Sequence, residues 1–374
     1  MLVDGNVVET NTFDVNVRAG ESETHPISVE IEKYKGEILY IIRAKQKEMQ
    51  YGVGKDVTVA CEELVIREKV PEEDSVVLTE EPKVIEGHFN IGVHAGNVSY
   101  LFRKAGVSYM LAGLYSINVA GEEFLVREAL PTVFRPNTSN DIGNLFCFQS
   151  SLALSYSKNV RCVNEEMKYR MEDHEFVISY RYTFDHKTLE GTVIEYRING
   201  KGEMKVTATL DEMSQLESLP LFGIHFELPK TKEKFSYFGK GPFETYPDRK
   251  DGTLSGIYSG ICKDEYVDYL YPQECGNHEE TRYLIIEGEK ADLRFDGNGQ
   301  NFSFKYLENS DFEIENATHK EELPNSGKNH LTICGFTRGV GGDDSWGAPV
   351  HEPYVLKSDK QYTFLFVIQP IVRG

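Results

Sequence analysis

The sequence predicts an all-β protein made of two sandwiches, and three observations carry that expectation. Apolar residues recur with period two rather than 3.6 along most of the chain. Asn199-Gly200-Lys201-Gly202 separates two of these runs at hairpin spacing. No segment shows the continuous apolar stripe of an amphipathic helix.

In chain order, the first alternating units are residues 33–45 and 107–126. The clearest follows, where Phe176, Ile178, Tyr180, Tyr182 and Phe184 alternate with Val177, Ser179, Arg181 and Thr183, giving one apolar and one mostly polar face. Ile194, Tyr196 and Ile198 repeat the pattern, Asn199-Gly200-Lys201-Gly202 offers a tight turn, and Met204, Val206, Ala208 and Leu210 resume it. That is a predicted antiparallel hairpin. Residues 283–295 and 361–369 supply further strands.

Pro71 and Pro82 bracket an acidic, turn-rich stretch, so the predicted division is 1–69, a linker 70–84, and 85–374. The first part has room for five or six strands, fewer than the ~7 of an immunoglobulin-like sandwich. It is therefore expected to be such a sandwich entered part-way, with N-terminal strands missing. The second part is long enough for one extended two-sheet domain.

The 374 residues hold 40 Lys+Arg against 60 Asp+Glu, a formal charge of −20. With no basic block, a generic nucleic-acid binder is excluded. No apolar run reaches the ~18 residues of a membrane span, and Gln369 and Pro370 interrupt the nearest, Tyr362 to Val372. The N-terminal residues resemble no secretory signal, which gives a cytoplasmic expectation. Six scattered cysteines without a CxxC read as reduced core thiols and argue against a zinc site.

Catalytic signals are weak. The adjacent pairs Glu165-Glu166, Glu279-Glu280 and Asp343-Asp344 read as solvated, because neighbours on an extended chain face opposite ways. GxSxG, HExxH and GxxxxGK[ST] are missing. The ten histidines form no close pair in sequence, and His278 and His319 read as surface residues. One loop stands out: Gly339, Gly341, Gly342 and Gly347 surround Trp346, the only tryptophan, beside Asp343, Asp344 and Ser345. Such glycine density permits unusual backbone angles and close approach. The indole there either offers a flat apolar face to a sugar or plugs the end of a sandwich.

Several segments together carry a resemblance. YFGKGPFETYPDRKDG (237–252), YLYPQECGNHEETRY (269–283), FRPNTSNDIGN (134–144), LPLFGIHFELP (219–229) and GVGGDDSWG (339–347) resemble the C-terminal region of the glycoside hydrolase family 2 β-galactosidases. Residues 2–66 are similar to that family's second immunoglobulin-like domain. The resemblance implies a galactose-mutarotase-like β supersandwich over 85–374. It implies a retaining enzyme acting on terminal β-D-galactosides such as lactose, whose two catalytic carboxylates lie on a (β/α)8 barrel this chain lacks. No catalytic residue and no metal ligand is then expected here.

Trp346 matches the family tryptophan that walls the sugar site, and Gly341, Gly342, Asp343, Asp344 and Ser345 match its supporting loop. The barrel portion is the expected partner and a galactoside the ligand of the assembled enzyme. That enzyme is expected to be a homo-oligomer, in which the resemblance allows magnesium and sodium. Thr245, Ser139, Leu221 and Cys334 depart from common family residues in the scaffolding around the loop. The chain reads more as a piece of a longer polypeptide than as a natural small subunit. A stand-alone sugar-binding module or a mutarotase-like enzyme are the other readings.

Overall fold

The computed structural model describes residues 1–27, 29–70, 80–107, 111–184, 190–344 and 346–373. Part of the expected linker, residues 71–79, lies outside these, as does Ser345. Every strand pairing within them is antiparallel, in four sheets, and the all-β expectation holds.

Alternation builds the largest sheet. Glu175–Thr183, Gly191–Ile198 and Met204–Leu210 pair in sequence, with Tyr180 opposite Ile194 and Ile194 opposite Ala208. The turn works as its residues suggest: Asn199 Oδ1 accepts the N–H groups of Lys201 and Glu203, and Gly202 takes the positive φ of +84°. Tyr362–Val372 then pairs with Met204–Leu210 on one side and Ala291–Asp296 on the other. The sheet continues through Tyr283–Ile286, Lys234–Gly241 and Leu254–Ile261, and with Arg161–Cys162 and Lys168–Glu172 paired to Glu175–Thr183 at the other end it has ten strands.

Against its apolar face packs a five-stranded sheet, in the order Leu130–Thr132, Leu221–Pro229, Lys328–Thr337, Phe302–Leu307, Asn277–Thr281. Phe222 meets Phe364 edge-on with centroids 5.1 Å apart, and Phe226 meets Phe295 at 5.6 Å. These contacts close a core that also takes in the meander from Lys83–Glu86 to Glu122–Glu123. Burying a Phe or Tyr side chain contributes about 1.5–3 kcal/mol, so this aromatic interlayer holds the two sheets together.

Residues before the linker form one sheet, ordered Asn6–Val7, Leu2–Val3, Ile38–Lys45, Thr58–Arg67. It rests on the outside of the large sheet, where Leu2 and Leu39 pack on Phe238. The Arg282 guanidinium donates to Glu37 at 2.7 Å with both side chains 6% exposed, and Ser255 Oγ donates to Glu63. Val59, Leu64, Val65 and Ile66 on its last strand remain exposed.

One long helix departs from the expectation. Cys147–Lys158 is α-helical, yet it buries only Ser150, Ala153 and Tyr156. A buried face three residues apart, built partly of small and polar side chains, leaves no apolar stripe to read. Cys61 also departs, since it is exposed on Thr58–Arg67; Cys262, Cys275 and Cys334 are buried, and all six thiols are free. No helix among the described residues is long and apolar enough to cross a membrane.

Candidate functional site

Four segments distant in sequence meet at one end of the sandwich. The short helix Ser139–Gly143 starts with a capping box in which Thr138 and Asp141 satisfy each other's backbone N–H. Buried Arg135 donates to Asp141 Oδ2 at 2.7 Å and reaches across to the Gly339 carbonyl at 3.3 Å. Although burial alone would raise it, the Arg135 charge and the Thr138 hydrogen bonds hold the Asp141 carboxyl below its ordinary range.

Asp248 braces the glycine loop from the other side. Its carboxylate accepts the N–H of Val340 at 3.0 Å and of Gly341 at 2.7 Å. Upstream, Glu244 Oε2 accepts the Gly276 N–H at 2.8 Å, and its other oxygen takes Arg249 and the Tyr269 hydroxyl. Gln273 Oε1 accepts the Ser139 N–H at 2.9 Å, which ties this segment back to the short helix.

The loop's glycines have distinct reasons. Gly347 sits at φ +106°, and an added Cβ would stand 2.4 Å from the Gly143 carbonyl carbon. A Cβ on Gly342 would stand 2.3 Å from the Ala348 oxygen, so there close approach is the constraint. Gly341 serves through its N–H to Asp248. Asp344 Oδ1 accepts the backbone N–H groups of Trp346 and Ala348, and Asp343 contacts His351 at 2.7 Å.

Trp346 itself is 89% exposed. It fills no core position, so the plug reading does not hold for this structure. Phe243, Ile142, Leu145, Phe148, Leu270 and Tyr271, carried by the same segments, are exposed as well. Exposed apolar side chains of this size on braced elements are available to a partner or ligand.

The acid pairs separate. Asp343-Asp344 and Glu165-Glu166 are exposed or nearly so, as read from sequence. Glu279 is half-buried rather than exposed: it accepts from Asn277 Nδ2 and Thr337 Oγ1, both at 2.8 Å, and burial pushes its carboxyl up to about 7. Glu274, also pushed up by burial, shares Lys305 with Asp311, each at 2.6 Å. His278 is buried rather than superficial, held between the Tyr237 hydroxyl at 2.9 Å and Glu265 at 2.7 Å. His319 is exposed, as expected.

A second cluster was not visible in the sequence. His225 and His330 approach to 3.2 Å, beside Glu227, on the wall of a cavity of about 320 Å³. Burial pushes both imidazoles down to about 3, so both rings are neutral near pH 7. The sequence signal was only a His-x-Glu and a His-x-Thr in two strands 105 residues apart.

Fold and site define an antiparallel β supersandwich that presents a tryptophan on a braced glycine loop. The family model for the beta galactosidase small chain matches residues 97–368, and the chain belongs to that family. It is 32% identical to the β-galactosidase small subunit of Latilactobacillus sakei, over 76% of this chain and 96% of that one. It is 30% identical to the β-galactosidase of Streptococcus thermophilus over 98% of this chain, yet spans only 35% of that protein's length. Among solved structures, a galactose mutarotase-like protein from Lactobacillus casei matches at TM-score 0.36 and 9% identity, over 77% of this chain and 99% of that one, a likeness too slight to build on.

Proposed function

We propose that this chain is the non-barrel, C-terminal portion of a retaining glycoside hydrolase family 2 β-galactosidase acting on terminal β-D-galactosides such as lactose. In this reading residues 1–69 belong to an immunoglobulin-like domain. The cluster around Trp346 docks on a (β/α)8 barrel that carries the catalytic acid and nucleophile. Trp346 forms one wall of the sugar site, and Gly341, Gly342, Asp343 and Asp344 hold it in place. Magnesium and sodium, where used, belong to the assembled cytoplasmic homo-oligomer.

One observation carries this. A glycine loop fixed by Asp248, Arg135 and Gly143 holds an almost fully exposed indole, an arrangement useless to the core and suited to a ligand or partner. One indole face covers roughly 100 Å², worth about 2–3 kcal/mol at ~25 cal/mol per Å², less than association itself costs. Trp346 alone therefore binds no sugar firmly and acts only with the remaining walls in place.

The test has two arms. The purified chain should neither bind free galactose measurably nor hydrolyse a chromogenic β-galactoside. Combined with a barrel-bearing portion, it should support hydrolysis that Trp346→Ala lowers and Trp346→Phe partly retains. Unchanged kinetics in Trp346→Ala would remove the sugar-wall role.

A further inference from the structure

The cavity at Leu221–Pro229 and Lys328–Thr337 is separate from the Trp346 loop and plays no part in the sugar-site reading. These two strands are hydrogen-bonded neighbours, with His225 opposite Thr332 and Glu227 opposite His330. Positions two apart share a face of a sheet, so register alone places two imidazoles and a carboxylate side by side.

We propose that His225, Glu227 and His330 bind a divalent transition-metal ion of the zinc class, with its open coordination position facing the cavity. The potential ligand atoms all lie within 4.8 Å of one another. His225 Nε2 and His330 Nδ1 stand 3.2 Å apart. Two nitrogens bound at ~2.0–2.1 Å to a tetrahedral ion stand roughly 3.3 Å apart, so an ion can replace their mutual contact with little movement.

The outer partners fit as well. A metal-bound imidazole is normally oriented through its other nitrogen. His225 Nδ1 has Thr332 Oγ1 at 3.1 Å. His330 Nε2 is buried without a hydrogen-bond partner, and Glu313 Oε2 lies 3.8 Å away, just beyond bonding reach. Ligation through Nδ1 would leave an Nε2–H pointing toward that carboxylate. Two nitrogens and one carboxylate favour zinc, nickel, copper or cobalt over magnesium or calcium, which prefer all-oxygen sets.

Glu227 also contacts Arg127 and Lys328, so the ion competes with two cations for it. Both reach it on partly exposed side chains that can swing aside. Of the four carboxylates lining the cavity, Glu128 is paired with Arg103 and Asp311 with Lys305, which leaves Glu227 and Glu313 as the ones nearest the two imidazoles.

The experiment uses the 374-residue chain, stripped with chelator and desalted, then titrated with zinc, with metal content measured after gel filtration. Cobalt serves as the spectroscopic substitute. One ion per chain is expected, with four-coordinate cobalt bands and no displacement by excess magnesium. His225→Gln should weaken binding by more than about tenfold, as should Glu313→Gln or Thr332→Val, which act on the ligands' orientation. The latter two keep the test valid should a ligand variant fail to fold. Cys61→Ser and His319→Ala, on the exposed surface, should change nothing. Absence of saturable uptake, uptake that survives His225→Gln in a folded chain, or loss of uptake in Cys61→Ser would overturn the proposal.

Discussion

Asp248→Ala removes the brace under the glycine loop while leaving the β core untouched. The carboxylate accepts two backbone N–H groups, from Val340 and Gly341. A hydrogen bond to a charged acceptor contributes about 1.5–3 kcal/mol. Discounted for half-exposure and for the pair sharing one side chain, the loss is about 2–4 kcal/mol in the free energy of opening the loop. At 1.4 kcal/mol per factor of ten, amide exchange at Val340 and Gly341 should quicken by roughly 30- to 1,000-fold. Asp248→Asn keeps one accepting oxygen and should show about half of that free-energy loss. Hydrogen exchange resolved to 338–349 measures it, with the Glu175–Thr183 strand as an internal reference that should not change. Unaltered protection of Val340 and Gly341 in Asp248→Ala would refute the claim that Asp248 fixes this loop.

Gly347→Ala places a side chain at positive φ against Gly143, and should cost about 1–3 kcal/mol in urea unfolding and displace Trp346; a neutral result would mean the loop lies elsewhere. Trp346→Ala should change stability by less than about 0.5 kcal/mol, because an exposed indole buries no core; a loss of several kcal/mol would restore the plug reading. Glu279 titrates near 7 when folded against an ordinary value of 4.5, so in that window the folded chain holds a proton the unfolded chain has lost. Stability should therefore fall by about 1–3 kcal/mol as pH rises from 4.5 to 7, and Glu279→Gln should flatten that fall, as read from urea midpoints across the range.

Period-two alternation was legible wherever one face of a strand is buried, as from Phe176 to Phe184, because burial enforces the pattern. The neighbour rule applied to Glu279-Glu280 failed for a definite reason. The pairing of Asn277–Thr281 with Phe302–Leu307 slips between His278 and Thr281, and Glu280 adopts φ +51°, so the rule that neighbours face opposite sides breaks there. The motifs of the loop end could be recognised one by one, but not their joinery: Asp248 meets Gly341 across 93 residues and Arg135 meets Gly339 across 204. His225 and His330 were likewise invisible as a pair, since strand register, not local sequence, brings them together.

In the proposed function this chain completes a galactoside site whose catalytic carboxylates lie on another portion of the enzyme. Steady-state hydrolysis of an aryl β-galactoside, measured for the chain alone, for a barrel-bearing portion alone, and for their mixture with wild-type or Trp346→Ala chain, tests it most directly. The chain alone should show no turnover, the mixture should turn over, and Trp346→Ala should lower its kcat/KM. Saturable turnover by the chain alone that survives repurification, or a mixture indifferent to Trp346→Ala, would contradict that function.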